Sequence, residues 1–237
     1  GTLNTGRSGE KRYNTVRIGD RIWMAENLNY RYMAKTAGTG ALAVDSSSFC
    51  YDNNPLNCDL YGRLYLWSAA VDSSGILNSS GAGVGCGFTK ACSATQIQGV
   101  CPSGWHLPSS TEYSYFVKLH TIHQQEDEAS GETRHNDDDI FLAQPGGYDY
   151  ESNSHGFSVL LAGSYNRMKK LGYNGMGVSA AFWTSTNNSA YASIFYRLNG
   201  TNDTYFYITP AHTYYTKADA ASIRCVRDKL YSQQSSY

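Results

Sequence analysis

Apolar and polar residues alternate with the two-residue period of β-strands in several short segments of the chain. Tyr13 to Ile18 and Arg21 to Met24 have this alternation and flank the turn signal Gly19-Asp20, so they predict a β-hairpin. The apolar run from Tyr61 to Val71 fits a strand or a short helix equally well. By contrast, residues 50–59 contain Asn53-Asn54-Pro55 and are expected to form a turn.

One segment has the longer period of an α-helix. Ser109 and Glu112 form a Ser-x-x-Glu capping box directly after Pro108, which predicts a helix start there. The next positions at the i, i+3, i+4 and i+7 spacing of one helix face are Tyr113, Phe116, Val117 and His120. The helix is expected to end before Glu126.

The C-terminal part of the chain predicts brief strands between turns. Several short strands are expected between Phe182 and Val226, with turns at Asn199-Gly200 and near Pro210. Neither an internal repeat nor an interdomain linker is visible. We therefore expect a disordered tail over 1–11, a single domain over 12–229 and a second tail over 230–237.

Composition and charge exclude several classes of protein. The chain has 237 residues, 41% of them hydrophobic, which is typical of a folded globular protein. Its 19 basic and 20 acidic residues are balanced and form no basic block, so no nucleic acid partner is expected. Because the chain has no run of 18 apolar residues, no transmembrane segment is expected either. It begins at Gly1 without an initiator Met and is expected to be a mature or truncated form.

Six cysteines favour disulfides and an oxidising, extracytoplasmic compartment. The alternative is a cytosolic protein with reduced, buried cysteines. No Cys-x-x-Cys pair occurs, so no zinc site is expected. The expected disulfides are two local ones and one long-range one, namely Cys50–Cys58, Cys86–Cys92 and Cys101–Cys225.

Six phrases of the sequence resemble one family along nearly the whole chain. They are residues 23–29 (WMAENLN), 50–53 (CYDN), 61–65 (YGRLY), 101–108 (CPSGWHLP), 182–186 (FWTST) and 224–228 (RCVRD). Together they resemble the Fibrobacter succinogenes major paralogous domain, a family of secreted bacterial surface proteins. This resemblance implies an extracellular or cell-surface location, which includes anchoring to an outer membrane.

The Gly-Trp-His-Leu-Pro-Ser stretch before the capped helix also resembles the formylglycine-generating-enzyme branch of the C-type lectin-like fold. That resemblance implies an α+β fold with about two helices, short antiparallel strands and a loop-rich upper lobe. It also implies that the N- and C-terminal strands lie together, which the expected Cys101–Cys225 disulfide suits. The four tryptophans all lie in the family phrases and are expected to be core anchors: Trp23, Trp67, Trp105 and Trp183.

A ligand-binding surface is expected in the C-terminal strands and loops. Relatives of the C-type lectin-like fold include targets of diversity-generating retroelements, in which a C-terminal segment varies and binds ligand. The stretch between Trp183 and Tyr215 has that position and is rich in tyrosine, which offers rigid contact area, and in asparagine, which offers adaptable hydrogen bonds. The alternative is ordinary strand chemistry, because Tyr and Thr favour strands. The expected ligand-binding residues are Asn187, Asn188, Tyr191, Phe195, Asn202, Asp203, Tyr205, Tyr207, His212, Tyr214 and Tyr215.

Other chemistry finds weaker support in the sequence. Asn136 to Asp139 could bind a cation, but the usual lectin calcium signatures are missing, and Gln144-Pro145-Gly146 lacks the acidic residue. His120, His123 and Glu126 could form a metal cluster on the helix but are expected to be exposed helix residues. We expect no cofactor, no metal site and no enzymatic activity.

We therefore expect a secreted or surface-displayed, adhesin-like module that binds a protein or a glycan. The alternative is an enzyme of formylglycine-generating-enzyme-like fold that acts on protein thiols or carbohydrate. A third class, the subunit of a surface appendage, overlaps with the first.

Overall fold

The computed structural model describes nine segments of the chain, and two β-sheets connect them. These segments are residues 2–3, 11–33, 48–78, 96–115, 156–166, 172–187, 193–200, 206–211 and 216–228, with the backbone alone for 2–3, 187, 193–200 and 206–211. The strands pair mostly antiparallel and the helices are few and short, so the described part has an α+β architecture.

The first sheet joins the N-terminal hairpin to strands that come much later in the chain. Its five strands, in spatial order, are β1 (Thr2–Leu3), β2 (Tyr13–Ile18), β3 (Arg21–Met24), β13 (Val226–Arg227) and β6 (Trp105–His106). The predicted hairpin is confirmed, with β2 and β3 paired from Ile18 opposite Arg21 onward. Val226 of β13 pairs with Trp23 on one side and with His106 on the other.

The second sheet has eight strands within the described segments. Seven lie in the spatial order β11 (Phe206–Ala211), β10 (Ser193–Gly200), β9 (Ser179–Asn187), β7 (Ala162–Tyr165), β12 (Ala220–Ala221), β5 (Leu64–Leu66) and β4 (Ser48–Phe49). The eighth strand, β8 (Tyr173–Met176), pairs with β7 beside this path. β7 pairs with β9 in parallel, whereas the other pairs of named strands in this sheet are antiparallel.

A helix occupies part of the segment that was predicted to be a turn. After the 3₁₀ turn Tyr51–Asn53, helix α1 runs over Pro55–Tyr61. The Asn54 side chain accepts a hydrogen bond from the Leu56 backbone N–H (3.1 Å), and Pro55 occupies the first helical turn, where its missing N–H costs nothing. The turn signal Asn53-Asn54-Pro55 therefore coincides with the 3₁₀ turn and with the start of α1, and the helix itself was not predicted, because Asn-Pro is also a helix-start signal.

The run from Tyr61 to Val71, which fitted a strand or a helix, contains both. Strand β5 (Leu64–Leu66) is followed directly by the one-turn helix α2 (Trp67–Ala70). The predicted capping box is also confirmed. The Ser109 N–H donates to Glu112 Oε2 (2.9 Å), and the Glu112 N–H donates to Ser109 Oγ (3.2 Å), at the start of the helical residues 110–115. The later positions of that predicted helix, Phe116, Val117 and His120, lie outside the described residues.

The tryptophans are core residues, as expected. Trp23, Trp67 and Trp183 expose at most 1% of their surface, and Trp105 exposes 7%. The Trp183 indole N–H donates to the Tyr65 carbonyl (2.6 Å), and the Trp67 indole N–H donates to the Thr184 carbonyl (3.3 Å). These bonds satisfy the polar edge of each ring within the apolar interior.

A fully buried arginine lies between β12 of one sheet and β13 of the other. The Arg224 guanidinium donates to Asn27 Oδ1 (2.8 Å), to the Ser158 carbonyl (2.6 Å) and to the Phe157 carbonyl, and it lies 4.6 Å from the centre of the Phe157 ring. Burial lowers its pKa to about 9. Each of its three nitrogens donates to one of these acceptors, and hydrogen bonding of this kind is the condition under which a buried cation is tolerated.

Two of the three expected disulfides are confirmed. Cys50–Cys58 joins the 3₁₀ turn to α1, with 5.0 Å between the Cα atoms, and Cys101–Cys225 spans 124 residues of sequence, with 5.9 Å between the Cα atoms. Cys86 and Cys92 lie outside the described residues. Disulfides of this kind are typical of oxidising compartments, so an extracellular location is compatible with the structure.

The C-terminal strands are longer than the turn signals suggested. Asn199 and Gly200, which were expected to form a turn, are the last two residues of strand β10. Pro210, near which a second turn was expected, lies within β11, opposite Tyr196. Because β11 ends the order of the described strands, a residue without an N–H is tolerated there. In the described ranges, no helix is long and apolar enough to cross a membrane. The boundaries expected at 11 and 229 stay predictions, although Thr2 and Leu3 pair with β2.

Candidate functional site

The predicted ligand-binding segment follows a three-stranded arm at one edge of the eight-stranded sheet. In this arm, formed by β9, β10 and β11, Asn187 pairs with Ser193, and Phe195 pairs with Trp183 and with Ala211. The register shifts between Ser193 and Phe195, which indicates a β-bulge. At the other end of the hairpin, Gly200 pairs with Phe206.

Three of the predicted ligand-binding residues lie on described backbone. Asn187 ends β9, Phe195 lies in β10, and Tyr207 lies in β11 opposite Asn199. The remaining eight lie outside the described residues, and these are Asn188, Tyr191, Asn202, Asp203, Tyr205, His212, Tyr214 and Tyr215.

The register divides the predicted residues between the two ends of the arm. Phe195 and Asn199 are four residues apart in β10, so the Tyr207 position lies about 13 Å along the strand from the Phe195 position. Asn187 and Ala211 lie at the end of the arm near Phe195, and Gly200 and Phe206 lie at the end near Tyr207. The structure therefore brings Asn187 and Phe195 together and separates them from Tyr207.

The inner strand of the arm is fixed to the core. Phe182 and Trp183 of β9 are both buried, one in each of the two main hydrophobic clusters. Beyond them, the Ser185 N–H donates to the Pro108 carbonyl (2.8 Å), and Thr186 Oγ1 accepts from the Ser110 N–H (2.9 Å). The base of the arm is therefore joined to the start of the 110–115 helix.

The chain returns to the core directly after the predicted segment. Lys217 exposes only 1% of its surface, and its ammonium lies 4.1 Å from the centre of the Trp67 ring, which is a cation–π contact. Burial lowers the pKa of Lys217 to about 8. Sequence reasoning missed this residue, since a lysine in a polar stretch gives no signal of burial.

A second group of polar residues lies where the 110–115 helix meets the five-stranded sheet. His106 Nε2 lies 3.0 Å from Glu112 Oε1, and His106 Nδ1 lies 2.6 Å from Asp228 Oδ1. Arg21 Nη1 forms an ion pair with Glu112 at 2.9 Å, and the Gln96 amide donates to Asp228 at 2.9 Å. The group therefore joins β3, β6, the helix start and the end of β13.

These contacts shift the pKa values of His106 and Glu112 in opposite directions. Burial by itself lowers the pKa of His106, but hydrogen bonds and attraction from Glu112 and Asp228 outweigh burial and raise it. Burial by itself raises the pKa of Glu112, but hydrogen bonds from His106 and Ser109 lower it to about 2. With both ring nitrogens bonded to carboxylates, His106 serves as a structural link in this group.

We expect the free energy of unfolding to be highest between about pH 4.5 and 6.5. Because folding lowers the pKa of Glu112 from 4.5, its contribution is complete above about pH 4.5 and is lost as the pH falls toward 2. Because folding raises the pKa of His106 from 6.5, its contribution is complete below about pH 6.5 and is lost as the pH rises through the folded value. Urea unfolding at a series of pH values measures the loss of stability toward low pH (the acid limb of the stability curve) and toward high pH (the alkaline limb).

Two variants separate these limbs. Glu112→Gln should remove most of the acid limb, which is worth about 3 kcal/mol, whereas Asp59→Asn changes an exposed carboxylate outside the group and should leave that limb in place. His106→Gln should flatten the alkaline limb. An acid limb of the same size in Glu112→Gln would contradict this account.

The described residues also bear on the weaker candidates. Within the described ranges, no group of three or more His, Cys, Asp or Glu residues is placed to hold a metal ion. His120, His123, Glu126, Asn136 to Asp139 and Gln144 to Gly146 lie outside those ranges.

The fold and the site define a disulfide-bonded α+β protein, in which each of two sheets contains a strand from the C-terminal end of the described chain and one sheet ends in a three-stranded arm. The sequence model of the Fibrobacter succinogenes major domain matches residues 16–227, nearly the whole chain, and the chain belongs to that family. No curated protein and no solved structure matches the chain.

Proposed function

We propose that this chain is a secreted or surface-displayed bacterial module, adhesin-like, that binds a protein or a glycan through its three-stranded arm. The observation that carries the proposal is the placement of the arm. Its inner strand is buried on both faces, and β11 ends the order of the described strands. An arm held in this way can present contact residues without changing the core, because its base is fixed by the Phe182 and Trp183 packing.

The chemistry of the arm suits binding without bond making. Tyrosine and phenylalanine offer large contact areas at a low cost in side-chain entropy, while asparagine and serine adapt their hydrogen bonds to the ligand. A rigid base keeps the ordering cost of binding small. The predicted ligand-binding residues are divided between the two ends of the arm, so each end is a separate surface for contact with a ligand.

Two further features support the same proposal. The pairing of β3 with β13 brings N- and C-terminal strands together, which supports a C-type lectin-like fold. The two described disulfides support export from the cytoplasm. The alternative is an enzyme that acts on protein thiols or on carbohydrate. Action on thiols needs a reactive cysteine, whereas the four cysteines in the described ranges are all paired in disulfides.

Binding to arrays, measured for the parent chain and for variants that change the predicted residues at one end of the arm at a time, tests the proposal. The purified chain is applied to a glycan array and to an array of bacterial and host surface proteins. One variant carries Asn202→Ala, Asp203→Ala and Tyr205→Ser, and a second carries Asn188→Ala, Tyr191→Ser and Tyr214→Ser. We expect the truncation of a tyrosine that contacts the ligand to weaken the array signal by about tenfold or more in at least one variant.

The matched control is Tyr115→Ser, which removes an exposed tyrosine at the end of the 110–115 helix that is not among the predicted ligand-binding residues. It should bind like the parent chain. Signals that survive in both arm variants, or the absence of any array ligand, would contradict the proposal. Comparison of sister genes gives an independent check, since retroelement diversification would confine the differences to residues 183–215.

A further inference from the structure

A polar cleft of about 540 Å³ lies beside the Cys50–Cys58 disulfide. It is found at the β4 end of the eight-stranded sheet, whereas the arm is at the β11 end. Small-molecule sites in proteins have volumes of about 300–1,000 Å³. The cleft is therefore large enough for a ligand of its own, and it shares no described residue with the arm.

Two arginines give the cleft a positive charge. Arg31 and Arg63 both line it, and Asp59 supplies one negative charge against them. Burial lowers the pKa of Arg63, and the neighbouring charge of Arg31 lowers it further. Neither arginine forms an ion pair with any carboxylate in the described ranges. Two guanidinium groups that face one cleft without a paired carboxylate favour an anionic ligand.

The hydrogen bonds of Arg63 leave donors unused. Its Nη1 is 3.5 Å from the Ser48 carbonyl, a long contact, and its Nε is buried and lacks a partner among the described residues. A guanidinium has five N–H donors, and an unpaired buried donor costs free energy. An anion that binds the guanidinium therefore gains hydrogen bonds that the protein itself does not make.

The rest of the lining is fixed in place and mixes amides with apolar surfaces. The Tyr173 hydroxyl donates to Asn53 Oδ1 (3.0 Å), and the Phe49 ring lies 5.2 Å from Tyr165 and 6.0 Å from Tyr173, centre to centre. Asn29 adds a second amide. A saccharide has both hydroxyl groups and apolar C–H faces, and these match amide side chains and aromatic edges, respectively.

We propose that this cleft binds an acidic saccharide, with the carboxylate against Arg31 and Arg63 and the sugar ring against Phe49 and the two asparagines. An acidic peptide fits less well. Peptides gain much of their affinity by adding a strand to a sheet edge, and the two-residue strand β4 offers a short edge whose Ser48 carbonyl already faces Arg63. The proposal does not depend on the arm.

Calorimetric titration of the whole chain with uronic acid oligosaccharides tests the proposal. The probes are trimers of galacturonate, glucuronate and mannuronate, each paired with its methyl ester, which keeps the ring and removes the charge. We expect at least one acid to bind about tenfold more tightly than its ester, since a charge-assisted hydrogen bond is worth that much. Its affinity should fall as the salt concentration rises from 0.05 to 0.5 M.

Variants with opposite expected effects make the test specific. Arg31→Gln should weaken binding of the acid about tenfold, and Asp59→Asn should strengthen it several-fold because it removes the opposing charge. Arg17→Gln changes an exposed arginine on β2 and should stay within twofold of the parent chain. Arg63→Gln should also weaken binding, provided that its circular dichroism spectrum matches that of the parent chain.

Several outcomes would overturn the proposal. These are equal affinity for every acid and its ester, unchanged binding in Arg31→Gln, or weaker binding in Asp59→Asn. Inorganic sulfate that binds as tightly as the best trimer would reduce the cleft to an adventitious ion site. Hexaglutamate that binds as tightly as the best trimer would assign the cleft to an acidic protein partner instead.

Discussion

Removal of the Cys101–Cys225 disulfide should lower the free energy of unfolding by about 5 kcal/mol. The bond closes a loop of 124 residues. A disulfide lowers the conformational entropy of the unfolded chain, and this stabilising effect grows with the length of the loop. Both cysteines are fully buried next to β6 and β13, so replacement by alanine removes the cross-link within a packed region. Urea unfolding of the Cys101→Ala, Cys225→Ala double variant measures the loss.

The matched control is the Cys50→Ala, Cys58→Ala double variant. That disulfide spans only 8 residues, and the same relation gives a loss of about 2.5 kcal/mol. Single domains are stable by about 5–15 kcal/mol, so the long-range variant should be partly unfolded near 37 °C, while the control stays folded. Equal losses in the two variants would refute the loop-length explanation.

Replacement of Arg224 by leucine should cost about 3–5 kcal/mol. The guanidinium is fully buried and donates hydrogen bonds to Asn27, Phe157 and Ser158, and leucine would remove all three of these bonds. Lysine should not rescue the protein, because its ammonium lacks the planar fork that reaches all three groups. Chemical denaturation of Arg224→Leu and Arg224→Lys tests both statements.

Arg227 provides the comparison for this prediction. It lies in β13, three residues from Arg224, but it is exposed. Arg227→Leu should change the free energy of unfolding by no more than about 0.5 kcal/mol. A loss in Arg227→Leu as large as that in Arg224→Leu would mean that the cost comes from the removal of positive charge and not from the buried hydrogen bonds.

The features that the sequence predicted well depend on neighbours in the chain. The β2–β3 hairpin follows from alternation around Gly19-Asp20, and the helix start at residue 110 follows from the Ser109 and Glu112 capping box. Both signals are complete within a few residues. The disulfide between Cys101 and Cys225 was predicted correctly despite its length, because only six cysteines had to be paired.

The features that the sequence did not predict depend on distant residues. Helix α1 was missed because Asn54-Pro55 favours a turn and a helix start alike, and the choice depends on the Cys50–Cys58 disulfide and on contacts such as the hydrogen bond from the Asn57 side chain to the Tyr51 carbonyl. The positive cleft was missed because Arg31, Asp59 and Arg63 have no motif spacing, and the fold alone brings them together. For the same reason, the register that separates Tyr207 from Phe195 could not be predicted from composition.

The order of strands has a consequence for the way this chain acquires its structure. β12 lies between β5 and β7, and β13 lies between β3 and β6, so each sheet needs a strand from 220–227 before its earlier strands are joined. Such long-range pairing loses the entropy of closing large loops before the new strand contacts stabilise the chain. A nascent chain that has not yet released Ala220 to Arg227 therefore holds two incomplete sheets, and the last few residues of the family domain complete both of them together.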